Sequence, residues 1–344
     1  MSRAQLTSTV EQNTGGAVSP YVAGKNAVIN GGFDIWQRGT SFSSLATGSY
    51  SADRWCAETG GTTTISQQTT GVPAGSLYVL RASSGAASSY VNMWQGLEAA
   101  EAAKLQGQTV TFSVKLRKSS TFVTSSLQIA IYKNATANLN PVNGAGGVSI
   151  NSTTVSNATL PTGTGSSNWY TATVTAVIPN DGTANGIMVR INQTATDASG
   201  SYWEMGQAQL ELGSVATPFS RAGGTLSGEL AACQRYYYRT TLSASSAAII
   251  GFGTAQSTTT ALIGVRLPVT MRTYPSSTVE SSGLWIYDGA TTINTSAGIT
   301  SGGGVAPDPN IMNIVATGTG LVQYRPYYLY AATTSAYLGI TAEL

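Results

Sequence analysis

Residues 109–116 read TVTFSVKL, and they set the terms for the whole chain. Successive side chains of an extended strand point to opposite faces. Val110, Phe112, Val114 and Leu116 therefore share one face, and Thr109, Thr111, Ser113 and Lys115 the other. The same period of two returns with Leu127, Ile129 and Ile131, with Val174, Ala176 and Ile178, and with Ile187, Val189 and Ile191. Turn-rich stretches such as NLNPVNGAGG and PTGTGSSN separate the runs. Many short alternating strands between polar turns predict an all-β chain, a jelly-roll β-sandwich. One short helix is expected at GLEAAEAAKLQG, where Leu97 and Leu105 bracket an alanine-rich turn and Gly107 ends it.

Alternation resumes beyond PFSRAGGTLSG, in AAIIGFG, TALIGVRLPVTM, LWIYDG, NIMNIVATG and AYLGITAEL. This predicts a second, smaller β-sandwich domain at the C-terminus. The expected organisation is an arm at residues 1–25, a jelly roll at 26–222, a junction at 223–240 and a C-terminal β domain at 241–344.

Charge and histidine content narrow the chemistry. The 344 residues hold no histidine, which removes Ser-His-Asp and Cys-His catalysis and His-ligated zinc. Lys and Arg exceed Asp and Glu by only 17 to 15, so no basic stripe for nucleic acid is expected. The one basic cluster, KLRK at residues 115–118, reads as the solvated side of a strand. No apolar run has membrane-spanning length, and the N-terminus lacks the apolar stretch of a secretory signal. Cys56 and Cys233 form no metal-type spacing. The glycine-rich stretch 295–310 lacks the Lys-Ser/Thr and helix of a phosphate loop and reads as a plain loop.

The densest chemistry is NGGFDIWQRGTSF at residues 30–42, followed by ADRW at 52–55. Phe33 and Ile35 on one face, with Asp34 and Trp36 on the other, predict a first strand between glycine turns. Arg38 and Arg54 are expected to pair with acidic or backbone oxygens, and Trp36 and Trp55 to be buried. The whole would be a structural lock closing the sandwich.

These residues also carry a likeness. GKNAVINGGFDIWQRGTSF with YSADRW, then WQGLEAAEAAKLQGQTVTFSVKLR, then AQLELGSVATPFS resemble a domain recurrent in virion proteins of tailed bacteriophages. That domain is similar to carbohydrate-binding-module jelly rolls. ELAACQRYYYR, LPVTMRTYPSSTV and ITAEL resemble the junction and attached C-terminal β domain of such proteins. The resemblance implies a non-enzymatic virion structural protein, a short tail or head fibre adhering to host surface glycans. It implies a homotrimer, attached to other virion proteins through its arm. Only about 25 residues precede the module, fewer than in tail fibres of this type, so a capsid-decoration role without a ligand is the alternative. A polysaccharide depolymerase is the third reading.

A sugar ring packs its apolar face on an indole or phenol, while neighbouring amides and carboxylates bond its hydroxyls. The candidates are Trp94, Trp169, Tyr170 and Trp203 in the first domain, and Trp285 and Tyr287 in the second. On a strand, Trp285 and Tyr287 would share a face, with Leu284 and Ile286 on the other. The resemblance adds a structural calcium, for which Asp34 and Glu204 are the candidate ligands; no other cofactor is expected. Asp34 with Glu204 or Glu211 would also be the carboxylate pair of a glycosidase. QRYYYR, residues 234–239, reads as a packed connector before a stacking site.

Overall fold

The computed structural model describes residues 24–87, 89–140, 142, 147–163, 165–240, 248–274, 279–295, 298–301 and 311–344. Most of the arm at 1–25 and of the loop at 295–310 lies outside these residues. The chain forms two compact units, one reaching Leu230 and including Leu344, the other Ala231–Glu343.

In the first unit the strands are β1 (Ser41–Ser43), β2 (Cys56–Gly60), β3 (Thr63–Gln68), β4 (Val79–Ser84), β5 (Tyr90–Gly96), β6 (Thr109–Lys118), β7 (Leu127–Asn134), β8 (Val148–Val155), β9 (Tyr170–Val177), β10 (Gly186–Gln193) and β11 (Tyr202–Leu212). Helix α1 (Ala99–Leu105) stands between β5 and β6, over the stretch expected to be helical, and Gly107 follows it with φ 74°. The strands make a six-stranded sheet, β1-β3-β4-β11-β6-β9, and a five-stranded sheet, β2-β5-β10-β7-β8. Pairing is antiparallel throughout. This is a jelly-roll β-sandwich. Its core takes the inward face of each alternating run: Val110, Phe112, Val114 and Leu116 are fully buried with Ile129, Ile131, Ile187, Val189 and Ile191. Burying each such side chain is worth about 1.5–3 kcal/mol.

Residues 30–39 correct the expected first strand, for they are turns and loop. Asn30 and Phe33 both take the left-handed region, φ 56°, which a regular strand does not use. Side chains replace a ladder here. Asn30 Nδ2 donates to the carbonyls of Ile35 (2.8 Å) and Asp53 (3.0 Å), and its Oδ1 accepts from Ile35 N (3.0 Å). Asp53 Oδ1 accepts from Gln37 N at 3.0 Å, and Gln37 Nε2 donates to Asp53 Oδ2. Gly31 lies against β11, its carbonyl accepting from Ala208 N at 2.9 Å. A Cβ on Gly31 would stand 1.9 Å from Ala208 O, so no other residue fits that approach.

The basic cluster at 115–118 is the second correction. Arg117 and Lys118 are buried, not solvated. Lys118 Nζ donates to Phe122 O (2.8 Å) and Asn157 Oδ1 (2.6 Å). Arg117 Nε donates to Glu204 Oε2, and its NH1 to Gly71 O (2.7 Å) and Gly165 O (3.0 Å). Glu204 sits opposite both Arg81 and Arg117 in the ladder, and Arg81 NH2 reaches its Oε1 at 2.7 Å. An Arg-Glu-Arg row thus crosses three strands on the outer face of the six-stranded sheet.

Helix α2 (Leu226–Gln234) carries the division between the units. The second unit contains β12 (Tyr237–Arg239), β13 (Ile249–Ala255), β14 (Thr260–Arg266), β15 (Val279–Ser282), β16 (Leu284–Tyr287), β17 (Thr292–Asn294), β18 (Ile299–Ser301), β19 (Ile311–Thr317), β20 (Pro326–Ala331) and β21 (Tyr337–Thr341). They form a three-stranded sheet, β12-β21-β15, and a seven-stranded sheet, β17-β16-β20-β13-β14-β19-β18. Ile263, Val265, Leu284, Ile286, Ile314, Leu329, Leu338 and Ile340 fill this smaller sandwich. Among the described residues no helix is long and apolar enough to cross a membrane.

Candidate functional site

The outer face of the seven-stranded sheet carries the largest group of accessible aromatic rings in the described structure. Leu284 and Ile286 point into the core, so Trp285 and Tyr287 are left half-buried on the opposite face. On the neighbouring β20, Tyr327 and Leu329 are core residues and Tyr328 and Tyr330 stand outside. Register aligns the rings. Tyr287 lies opposite Tyr328, Trp285 opposite Tyr330, and Tyr328 opposite Phe252 of β13. Tyr287 and Tyr328 have ring centroids 5.2 Å apart, Tyr328 and Tyr330 6.0 Å, and Phe252 and Tyr328 6.3 Å. Phe252 is 66% exposed, which is extreme for a phenylalanine.

Polar groups border the rings. Thr292 lies opposite Tyr287, and the row beyond Phe252 runs through Gly264 to Asn313. A Cβ on Gly264 would meet nothing nearer than 3.6 Å, so the glycine leaves a low step beside Phe252. Desolvation pushes the Tyr328 phenol above its ordinary value, with Tyr287 and Tyr330 adding to the shift. The turn after β16 is fixed by Asp288, whose carboxylate accepts from Thr291 N (2.6 Å), Arg325 NH1 (2.7 Å) and Ala290 N (2.9 Å). These donors, the Thr291 amide first, hold its carboxyl down to about 2.

The aromatic candidates of the first unit are placed differently. Trp203 is 1% exposed and belongs to the core, so it is corrected from a sugar platform to a packing residue. Trp94 is 8% exposed; its Nε1 donates to Glu58 Oε2 at 2.9 Å and the Arg190 guanidinium lies 4.5 Å from its ring, which removes it too. Trp169 is half-buried, Nε1 donating to Gly71 O at 3.1 Å, and Arg117 lies 4.3 Å from its ring. Tyr170 beside it is exposed.

The proposed lock residues are all held. Trp55 is fully buried, donating Nε1 to Asn30 O at 3.1 Å, while Trp36 is half-buried and donates to Phe33 O at 2.7 Å. Arg54 NH2 donates to Gly96 O at 2.7 Å, and Arg38 NH1 lies 3.9 Å from Asp53 Oδ1.

Of the two candidate calcium ligands, Glu204 has both oxygens engaged by Arg81 and Arg117, whereas Asp34 is bonded by Arg221 through Oδ2 alone, at 2.7 Å, and its buried Oδ1 has no hydrogen-bond partner among the described residues. No cluster of three metal-ligating side chains occurs among the described residues. In the connector, Tyr236 and Tyr237 are buried and Tyr237 Oη donates to Glu280 Oε2 at 2.8 Å, so this pair serves packing. Cys56 and Cys233 are buried thiols.

The fold and face define a jelly-roll sandwich joined to a second β unit with an aromatic sheet face. No family profile matches the chain, and no curated protein matches it. Solved structures do. The enzymatically active domain of tailspike protein 4 of bacteriophage CBA120 aligns at 15% identity and TM-score 0.34, covering 57% of this chain and 22% of that one. The xylan-binding CBM22-1 domain of Paenibacillus barcinonensis aligns at 11% identity and TM-score 0.33, covering 56% and 98%. A cyclase from Fischerella sp. TAU aligns at 11% identity and TM-score 0.37, covering 56% and 98%. The chain thus spans about a fifth of the tailspike domain's length. At these TM-scores the matches bear on neither ligand nor activity.

Proposed function

We propose that the protein is a non-enzymatic virion structural protein, a short tail or head fibre, that adheres to host surface glycans through the outer face of its C-terminal unit. The virion part of this reading rests on the sequence likeness of residues 24–42, 50–55, 94–117 and 208–220. The adhesive part rests on one observation, the face formed by Trp285, Tyr287, Phe252, Tyr328 and Tyr330. Half-exposed phenols set edge-to-face at register spacing offer apolar surface to sugar C–H groups and hydroxyls to sugar oxygens. Thr292 and Asn313 at its border supply further hydrogen-bonding groups. A flat face of this kind binds one sugar weakly. The proposed homotrimer would carry three copies, which act together through effective concentration.

A glycan array probed with the full chain and with Tyr328→Ala tests the reading. Binding by the parent that the variant loses supports it. A parent that binds no glycan yet docks to empty capsids would overturn it in favour of an architectural role, and oligosaccharide released from host polysaccharide would overturn the non-enzymatic part.

A further inference from the structure

A cleft of about 430 Å³ opens on the outer face of the six-stranded sheet, entirely within the first unit. Its floor is Ser113 and Lys115 of β6 with Thr171 of β9. One wall is Ala74, Gly75 and Gln207, and the other is the segment 216–221. This volume lies in the range of small-ligand sites.

Both walls are fastened from behind. Gln207 sits at φ 51° where β11 loses register between Gly206 and Gln209. Its Nε2 donates to Ala74 O (2.8 Å) and Ser76 Oγ (3.0 Å). On the other side, Thr217 N donates to Glu211 Oε1 (2.8 Å), Ser220 N to Gln209 Oε1 (2.7 Å), and Arg221 Nε to Asp34 Oδ2 (2.7 Å). Gln209 and Glu211 are themselves buried. Walls clamped in this way need little reorganisation when a ligand enters.

The charges around the cleft match off except for one. Asp34 has Arg221, and Glu211 has Lys25 at 3.7 Å. Lys115 Nζ donates only to a neutral hydroxyl, Thr171 Oγ1, at 2.9 Å, and among the described residues no carboxylate pairs with it. An ammonium has three donors, so two remain for a ligand.

We propose that this cleft binds a saccharide unit bearing an anionic group, a carboxylate or a phosphate. Lys115 meets the charge, Thr171, Gln207 and Thr217 meet hydroxyls, and the half-buried Phe219 ring lines the apolar face of the sugar. The site is separate from the aromatic face and stands without it.

The test is titration of the full chain with glucuronate, glucose 6-phosphate, glucose and inorganic phosphate. At least one anionic sugar should bind about tenfold more tightly than glucose, the size of one charge-assisted contact. Which of the two binds better distinguishes a carboxylated from a phosphorylated source. Lys115→Met should remove that advantage, and so should Lys115→Gln, which keeps a donor for Thr171 and deletes the charge. In Tyr328→Ala the advantage of the anionic sugar over glucose, and its dependence on Lys115, should persist, so failure of this site and failure of the aromatic face are read separately. Glucose binding as tightly as both anionic sugars, an advantage that survives both Lys115 variants, phosphate alone matching the sugar phosphate, or no binding by any probe would overturn the proposal.

Discussion

The two units spend the outer faces of their main sheets in opposite ways. The jelly roll covers its outer face with chain and fills the space beneath with charge, so Arg117 and Glu204 are buried on the side away from the core. The C-terminal unit leaves its outer face open and lays rings on it, with Phe252 two-thirds exposed. A buried charge row must be complete to be tolerated, whereas exposed rings are free to be altered. The first face is therefore structural apart from its cleft, and the second is available for binding.

The sharpest way to break this contrast is Glu204→Ala. It strands the Arg117 guanidinium beneath the covering segments, and the first unit should lose about 3–5 kcal/mol of stability. Of the six tryptophans only Trp285 lies in the second unit, so with Trp285→Phe as background, indole fluorescence in urea reports the first unit alone. A loss under about 1 kcal/mol would reduce the row to an ordinary surface pair.

Tyr328→Ala probes the other side. It should weaken glycan binding at least about tenfold while costing the second unit no more than about 1.5 kcal/mol, the worth of its ring contacts. Glycan affinity and urea unfolding of the same variant measure both, and a stability loss of core size would show that the face is packing surface after all.

Acid separates the units by sign. Glu229 accepts from Gly223 N at 2.7 Å and from Asn30 N, yet burial, the larger effect, raises its carboxyl above its ordinary value of 4.5. Its contribution is complete below 4.5 and is lost as pH rises through the raised value. Asp288 is the reverse: its contribution is present above 3.8 and lost as pH falls through about 2. Calorimetry from neutral pH to about pH 4.5 should raise the melting of the first unit, and Glu229→Gln should flatten that rise. Further acidification should then weaken the second unit, and Asp288→Asn should remove its share. Slopes unchanged in both variants would refute the assignment.

Phe252→Ser should have the smallest effect on folding, within about 0.5 kcal/mol, because its ring is largely in water already. A larger drop in denaturant midpoint would mean that the ring is covered.

Alternation made much of this architecture legible. Val110, Phe112, Val114 and Leu116 are the core side of β6, and Leu284 and Ile286 that of β16, as their spacing requires. The same pattern misjudged the other side of β6. Whether Arg117 meets water depends on residues 70, 71, 165 and 169, which a periodic reading of β6 does not contain. At residues 30–39 the alternation of Phe33 and Ile35 imitates a strand, but Asn30 and Phe33 in left-handed geometry bury both residues from a turn. The aromatic face was half legible. Trp285 and Tyr287 follow from LWIY, and PYYLYA carries an equal signal for Tyr328 and Tyr330 that had to be read together with the pairing of β16 and β20. Phe252 joins them only through the register of β13.

The entrance and exit of the jelly roll are tied together. Gly24 N donates to Ala222 O at 2.9 Å, and Asn26 Nδ2 to Ser220 O at 3.1 Å. In mechanical terms, a pull on residue 24 against residue 222 is borne first by this small clasp, and the sheets behind it stay unloaded until it opens.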